Sequence, residues 1–243
     1  MSAPTAAEVQ APFVVRSDVD GIATLTLSRG DRLNPLSSAM LGALQSALDE
    51  VAGDASVRVV ILAGAGKHFC AGHDLREMRS HPDKAWQSAL FEQCGRVMMS
   101  LVRLPQPVIA RVQGVAVAAG CQLVSMCDLA VAAADARFAL PGINNGIFCT
   151  TPGVGVARSV ARKHALEMLF TGDLIDAATA ERWVSSTASC RLWSSITRSG
   201  SSHAGSPGTA PPSFGSASSS STTRWKSDST TPMRSPGRAW PAT

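Results

Sequence analysis

Two short glycine-containing stretches decide the fold of this chain: Phe69-Cys70-Ala71-Gly72-His73-Asp74-Leu75 and Val117-Ala118-Ala119-Gly120-Cys121-Gln122. Each follows an apolar, strand-like run, at residues 57–63 and 107–112, and each precedes a helical pattern. Small residues at the start of a helix leave backbone N–H groups without intrahelical partners. Two such turns that face one point can hold an oxygen that becomes negative during a reaction. We therefore expect the functional site to lie between them.

Strand-like and helix-like patterns alternate on both sides of these stretches, which predicts a layered α/β fold with parallel strands. Asp74 is followed three residues later by Glu77, the spacing of a capping box at the start of a helix. The basic residues within 154–170 mark either a polar face of the helix expected there or a break in that helix. The other expected strands are 13–16, 21–27, 129–132 and 137–139; the expected helices run from Ser37 or Ser38 to about 51, and over 83–104, 120–127, 154–170 and 175–183; residues 141–152 read as an irregular loop.

Charge and composition exclude several classes of function. The net charge of +4 is uneven, because residues 185–243 hold six basic residues and one acid and so carry +5, leaving −1 for the remainder. A basic surface for nucleic acid is therefore not expected in the body of the chain. No apolar run of 18 residues or more occurs, so we expect no membrane span. The polar start lacks the features of a secretory signal, so we expect a cytoplasmic protein, with mitochondrial as the alternative.

Six cysteines occur without any Cys-x-x-Cys pair. We expect buried free thiols in a reducing compartment and no metal site. Cys149 is a possible nucleophile, although no histidine partner is identifiable nearby.

The two stretches, with Cys127-Asp128-Leu129-Ala130 and Ala136-Arg137-Phe138-Ala139-Leu140-Pro141 further along, resemble the crotonase superfamily, or enoyl-CoA hydratase/isomerase family. The resemblance covers about residues 12–183. It implies a crotonase-like ββα superhelix that binds an acyl-CoA thioester as substrate, needs no further cofactor, and assembles as a homotrimer or hexamer.

The resemblance also implies the site residues. The backbone N–H groups of His73 and Ala119 correspond to the two oxyanion-hole donors, and Ala71 to a contact with the adenine end of coenzyme A. The loop at 29–35 borders the pantetheine arm. The further substrate-binding positions are Arg32, Leu33, Gly72, Leu75, Val117, Gly120, Pro141, Gly142 and Asn145.

Both carboxylates of the family's hydratases are replaced in this sequence. Gln122 occupies the position of one of these carboxylates, and Gly142 occupies the position of the other. Gln122 can orient a water molecule but has no useful pKa for taking its proton. His73 is either an acid–base group or a structural histidine. The sequence therefore resembles a divergent branch, the enoyl-CoA hydratase domain-containing proteins, with impaired or altered hydratase activity. The alternatives are a binding protein without turnover and isomerase, hydrolase or decarboxylase chemistry.

Residues 185–243 differ from the rest, with 18 Ser, 8 Thr and no Glu. One interpretation is a disordered, low-complexity tail. The hypothesis we favour is a shifted reading frame: with suitable synonymous codons, one base inserted after the Trp183 codon yields Trp-Gly-Leu-Val-Asn-Arg-Val-Val-Pro, a phrase typical of crotonases. Residues 1–11 then form a disordered N-terminus, 12–183 the acyl-CoA-binding domain, and 184–243 an out-of-frame tail. That tail replaces the family's C-terminal trimerisation helices, so we expect poor stability or aggregation and doubt a trimer.

Overall fold

The computed structural model describes residues 11–184. The expectations for residues 1–10 and 185–243 lie outside this part of the chain. Its strands are β1 Val14–Val19, β2 Ile22–Leu27, β3 Val59–Gly64, β4 Val108–Val112, β5 Val115–Val117, β6 Leu129–Ala132, β7 Arg137–Ala139 and β8 Ile175–Asp176. Its α-helices are α1 Ser38–Ala52, α2 Leu75–Ser80, α3 Lys84–Arg103, α4 Ala119–Met126, α5 Thr150–Ser159, α6 Arg162–Thr171 and α7 Ala177–Val184.

The main sheet has the strand order β1-β2-β3-β4-β6. β1 pairs antiparallel with β2, and the other neighbours are parallel, with Leu25 opposite Leu62 and Leu62 opposite Ala110. All three of these side chains are fully buried. Helices cover parallel strands, which explains why β3 is an almost continuous apolar run. The expected layered α/β fold with a parallel sheet is confirmed.

The hairpin between β1 and β2 turns at two residues. Val19 pairs with Ile22, and between them Asp20 and Gly21 have φ angles of 50° and 78°. Two successive residues with positive φ are typical of the tight turn that matches the twist of a hairpin, and Asp-Gly is among the dipeptides that favour it. The predicted hairpin is confirmed, but its turn is shorter than the expected Asp18–Gly21, because β1 continues through Val19 instead of ending at 16.

A second, smaller sheet has the order β5-β7-β8. β5 runs parallel to β7, with Val117 opposite Ala139, and β7 pairs antiparallel with β8. Strand β5 was not predicted from the sequence. Because β5 ends at Val117, the second glycine stretch begins at the end of this smaller sheet. The helix expected over 175–183 is wrong at its start, because Ile175 and Asp176 form β8. The Asp176 carboxylate then accepts the Thr179 N–H at 2.7 Å and caps α7.

α1 packs its apolar face inward, as predicted. Ser37 caps it by accepting the Met40 N–H at 3.1 Å, and Leu44 and Leu48 are buried on the same face. Among residues 11–184, no helix combines the length and the apolarity that crossing a bilayer requires.

The region from Pro141 to Phe170 differs from the expectation. Residues Pro141–Asn145 form a 3-10 turn, and α5 already begins at Thr150, so the predicted irregular loop over 141–152 is wrong at both ends. Pro152 lies in the first turn of α5, where the missing N–H costs nothing. The single helix over 154–170 is two helices, because Val160 and Ala161 are extended between α5 and α6. Of the two interpretations of the basic residues, the structure therefore supports a break in the helix.

Candidate functional site

The first glycine stretch lies beside the second. Cys70 forms an isolated parallel bridge with Ala116. Its N–H donates to the Val115 carbonyl at 3.2 Å, and its carbonyl accepts the Val117 N–H at 3.0 Å. These bonds continue the pairing of β5 and bring the two stretches together, although 40 or more residues separate them in sequence.

Gly72 and Asp74 turn the first stretch into α2. Gly72 has a φ of +87°, a conformation that glycine adopts without steric cost. The Asp74 carboxylate accepts the N–H groups of Arg76 at 2.9 Å and Glu77 at 3.2 Å, which confirms Asp74 as the helix cap. The reciprocal half of the capping box is wrong, because the Glu77 carboxylate instead accepts the Ser38 N–H at 2.9 Å and ties α2 to α1.

The second stretch turns into α4 through a strained residue. Ala118 has φ 50° and ψ −123°, a backbone conformation that residues with a β-carbon rarely adopt. Its N–H donates to the Ala139 carbonyl of β7 at 3.0 Å, and its carbonyl accepts the Gln122 N–H at 3.1 Å. These two bonds fix the direction in which α4 begins at Ala119.

The two turns touch at glycine positions. A β-carbon added to Gly72 would lie 2.9 Å from the Ala118 Cβ and 3.2 Å from the Ala119 nitrogen. A β-carbon added to Gly120 would overlap the Cys70 carbonyl. The backbones therefore approach as closely as residues without side chains allow.

Two backbone N–H groups beside this contact are available. Within residues 11–184, the N–H groups of His73 and Ala119 have no hydrogen-bond acceptor. His73 directly follows Gly72, and Ala119 is the first residue of α4, where no intrahelical acceptor exists. The geometry thus offers two donors on adjoining turns, one of them at the positive end of a helix dipole.

The His73 ring is half-buried, and its Nε2 is buried without a hydrogen-bond partner in the described residues. Its Nδ1 lies 3.3 Å from the Leu36 carbonyl, which acts as acceptor, so the opposite nitrogen is the unprotonated one. The ring contacts the Phe91 ring edge to face at 5.2 Å. Burial lowers the pKa of His73 below its ordinary value, outweighing the hydrogen bond to Leu36, which raises it. The imidazole is therefore neutral at pH 7.

Gln122 stands one helical turn after Ala118 and is 7% exposed. Its side-chain oxygen is buried and has no hydrogen-bond partner in the described chain. Gly155 of α5 lies behind it: a β-carbon there would approach the Gln122 Cγ to 3.5 Å. The amide is a neutral group with an unused acceptor, and it cannot take a proton from water.

Residue 142 has no charge, and the structure leaves no room for a side chain there. The Gly142 N–H donates to the Cys149 sulfur at 3.3 Å. A β-carbon on Gly142 would lie 2.7 Å from that sulfur and would overlap the Ile147 carbonyl oxygen. Burial raises the pKa of the Cys149 thiol, which keeps it protonated and argues against a nucleophile.

The loop at 29–36 contributes a residue that sequence reasoning missed. Asn34 is completely buried with φ 49°. Its Nδ2 donates to the carbonyls of Ala65, His68 and Phe69 at 2.9–3.0 Å, and its Oδ1 accepts the Arg29 N–H at 2.8 Å. An asparagine before a proline in a Gly/Asp-rich loop was the available signal, because asparagine tolerates left-handed backbone.

This loop also holds the first glycine stretch. The Leu33 carbonyl accepts the Ala71 N–H at 3.0 Å, and the Leu36 N–H donates to the Gly72 carbonyl at 2.8 Å. Leu33 is 40% exposed beside these bonds. Loop 29–36 is thus a wall of the region where both turns meet.

The remaining predicted substrate contacts differ in how near they lie to the two turns and in how exposed they are. Val117, Gly120 and Pro141 lie on or beside the two turns and are buried or half-buried, whereas Leu75 is 48% exposed at the start of α2. Arg32 is exposed, and its ion-pair contact is with the neighbouring Asp31 at 3.8 Å. Asn145 is exposed at the end of its 3-10 turn.

The described cysteines are free, and four are buried: Cys70, Cys94, Cys121 and Cys149, with Cys127 half-buried. Burial raises the pKa values of Cys70, Cys94 and Cys121 to about 12. Cys190 lies outside the described residues. Between residues 11 and 184, no three His, Cys, Asp or Glu side chains are grouped as a metal site would need.

Comparison with known proteins gives a consistent result. The enoyl-CoA hydratase/isomerase family model matches residues 18–185. Human enoyl-CoA hydratase domain-containing protein 3, mitochondrial, is 48% identical over 162 residues, which are 67% of this chain and 54% of that protein. A probable enoyl-CoA hydratase of Mycobacterium leprae is 36% identical over 172 residues, 68% of this chain and 64% of that protein. The chain thus spans just over half the length of the human relative.

Solved structures of the same family are similar to this chain in fold. The crystal structure of an enoyl-CoA hydratase from Mycobacterium smegmatis superposes with a TM-score of 0.71 at 50% identity, covering 77% of this chain and 74% of that one. The human domain-containing protein 3 gives a TM-score of 0.69 at 42% identity, covering 77% and 76%. The chain therefore belongs to the enoyl-CoA hydratase/isomerase family, with the crotonase fold, and to its enoyl-CoA hydratase domain-containing branch.

Proposed function

We propose that this chain binds an acyl-CoA thioester and stabilises its enolate between the backbone N–H groups of His73 and Ala119. The observation that carries the proposal is the pair of unpartnered amides on touching turns. When a proton leaves the α-carbon of a thioester, its electron pair moves onto the carbonyl oxygen. Donors fixed in advance at that oxygen stabilise the charge, and losing one typically costs about 3–4 kcal/mol.

Efficient hydration of enoyl-CoA is not part of this proposal. Hydration needs one group to take a proton from water and another to deliver a proton to the α-carbon. Gln122 is neutral, and Gly142 has no side chain and no room for one. His73 is neutral, and burial makes its unpartnered Nε2 a weaker base than an ordinary imidazole. The site retains electrostatic stabilisation and lacks a carboxylate at both positions.

A second candidate is acyl-CoA binding without turnover. The absence of a carboxylate at residues 122 and 142 favours it, since an enolate hole without a base binds thioesters but deprotonates them slowly. Isomerase, hydrolase or decarboxylase chemistry would need a water held by Gln122 or a base supplied by the substrate.

The role in acyl-CoA metabolism, the homotrimer or hexamer, and the lack of any cofactor beyond coenzyme A thioester remain parts of the proposal. The word mitochondrial in the names of the vertebrate relatives supports the mitochondrial location over the cytoplasmic one.

The proposal is tested with acetoacetyl-CoA, whose acidic α-carbon gives an enolate without a strong base. We expect the full chain to raise the near-ultraviolet absorbance of the enolate. Ala119→Pro removes the donor at the first position of α4, and in a variant with a wild-type circular dichroism spectrum we expect the enolate fraction to fall at least about 100-fold. Ala177→Pro, at the first position of α7, is the matched control and keeps the signal.

The outcomes separate the candidates. Binding of acetoacetyl-CoA with the enolate signal, lost in Ala119→Pro alone, supports enolate stabilisation. Calorimetric binding with no enolate signal supports the binding protein without turnover. Absence of binding to the folded full chain refutes both.

A further inference from the structure

The peptide that joins Gly72 to His73 is held so that its N–H faces away from loop 29–36. The Gly72 carbonyl accepts the Leu36 N–H at 2.8 Å. In a trans peptide the C=O and N–H bonds point in opposite directions, so this bond turns the His73 N–H away from the loop. The aim of this donor therefore depends on how firmly one peptide plane is held.

The Ala119 N–H is held by different means. The carbonyl of its peptide, that of Ala118, accepts the Gln122 N–H at 3.1 Å, so the first turn of α4 fixes the peptide plane. His73 lies before α2 begins and has no helix to hold it. It also follows Gly72, which has a φ of +87° and, as a glycine, leaves the next peptide plane wide freedom to rotate.

The His73 side chain supplies a second hold on this peptide. Its Nδ1 lies 3.3 Å from the Leu36 carbonyl, and residues 36 and 73 form an isolated parallel bridge. The Asp74 N–H reaches the same carbonyl only at 3.4 Å. The Phe91 ring meets the imidazole edge to face, with centroids 5.2 Å apart, and limits its rotation. Leu36 therefore holds the Gly72 carbonyl with its N–H and the His73 ring with its own carbonyl.

Resting on the proposed function, we propose that the imidazole of His73 is a positioning group for the backbone N–H of its own residue. The bond from Nδ1–H to the Leu36 carbonyl limits the rotation that Gly72 allows, and so keeps the N–H aimed at the thioester oxygen. Donors that are fixed in advance stabilise a developing charge without having to reorient. Nε2 takes no part in this role, so the side chain acts without exchanging a proton with the substrate.

The test uses two amide side chains that place a donor at different points of the imidazole. His73→Asn puts an N–H near Nδ1, His73→Gln puts one near Nε2, and neither side chain ionises. The measured quantity is the enolate absorbance of acetoacetyl-CoA per ligand bound to the full chain, with the bound amount taken from calorimetry.

We expect this ratio to fall about tenfold in His73→Gln and His73→Ala, the effect of one typical hydrogen bond, and to stay within about twofold of the wild type in His73→Asn. Calorimetric affinity for butyryl-CoA, whose α-carbon is far less acidic, should change less than about threefold in all three, which separates aim of the donor from loss of the binding site. His81→Ala is the control and keeps the wild-type ratio, because His81 is an exposed histidine whose ring stacks on Trp86.

A low ratio in His73→Gln together with a wild-type ratio in His73→Asn supports the inference, and this comparison holds even where His73→Ala does not fold. Equal ratios in folded Asn and Gln variants overturn it. Two wild-type ratios would make the Nδ1 bond dispensable, and two low ratios would assign the effect to another property of the imidazole, such as Nε2. Both results leave the proposed function standing. Absence of an enolate signal in the folded wild type refutes enolate stabilisation and this inference with it.

Discussion

Replacing Asn34 by alanine tests whether one buried amide holds the wall of the site. The substitution leaves the Arg29 N–H without its acceptor at 2.8 Å. It also removes the donors that meet the carbonyls of Ala65, His68 and Phe69 at 3.0, 2.9 and 3.0 Å. Loop 29–36 then loses its side-chain attachment to the segment that leads into the first glycine stretch, and only the backbone bonds of Leu33 and Leu36 described above still join the two.

The magnitude follows from two contributions. A buried donor left unpaired costs about 1–3 kcal/mol, and the bonds lost by the three carbonyls add a smaller amount. Asn34 has φ 49°, and alanine in left-handed backbone costs a further 1–2 kcal/mol or so. We expect Asn34→Ala to lower the free energy of unfolding by about 3–5 kcal/mol, a large part of the stability of a typical domain.

The assay is urea unfolding of the full chain followed by circular dichroism. The matched control is Asn145→Ala, an exposed asparagine without a side-chain hydrogen bond in the described structure, which should change the free energy of unfolding by less than about 0.5 kcal/mol. If Asn34→Ala costs less than about 1 kcal/mol, or no more than the control, the assignment of Asn34 as the anchor of this loop is wrong.

Three further predictions concern stability. Gly142→Ala should lower the free energy of unfolding by about 1–3 kcal/mol in urea, because its β-carbon meets a sulfur and a carbonyl oxygen. Ala118→Gly should raise it by about 1 kcal/mol in the same assay, because glycine relieves the strain of φ 50°. Hydrogen bonds from Ser56 and Arg16 lower the pKa of Asp54 to about 2. The stability advantage of the wild type over Asp54→Asn should therefore be complete above pH 4 or so and should be lost as the pH falls through about 2. A smaller cost at Gly142, a loss at Ala118, or a difference that stays undiminished below about pH 2 would each contradict the respective argument.

Local chemistry allowed much of the fold to be predicted. The Asp20-Gly21 turn and the caps at Ser37 and Asp74 each depend on a few adjacent residues, and each forms as expected. The two glycine stretches were recognisable because small residues between a strand and a helix have a distinct pattern. Their mutual contact at Gly72 is nonlocal, and the sequence indicated it through resemblance to a family alone.

The misses share a physical cause. β5 spans three residues, too few for a period of two to be visible, and its partner β7 comes 20 residues later. Asn34 and Glu77 each bond groups distant in sequence, Phe69 and Ser38 among them. The local pattern therefore gave Asn34 no role and assigned the Glu77 carboxylate the wrong donor. Tertiary contacts, which no local propensity encodes, decided these positions.

The backbone donors of the candidate site and the acid–base side chains of a hydratase depend on the sequence in different ways. The donors at His73 and Ala119 are backbone atoms, so any residues that allow the turns preserve them, as the strained Ala118 shows. The acid–base groups of a hydratase are side chains, and a single replacement removes each. At Gly142 the packing excludes a side chain, because Cys149 and the Ile147 carbonyl occupy the space that it would need. A carboxylate introduced at Gln122 would therefore act without a second carboxylate at residue 142, unless the 141–149 loop moved first.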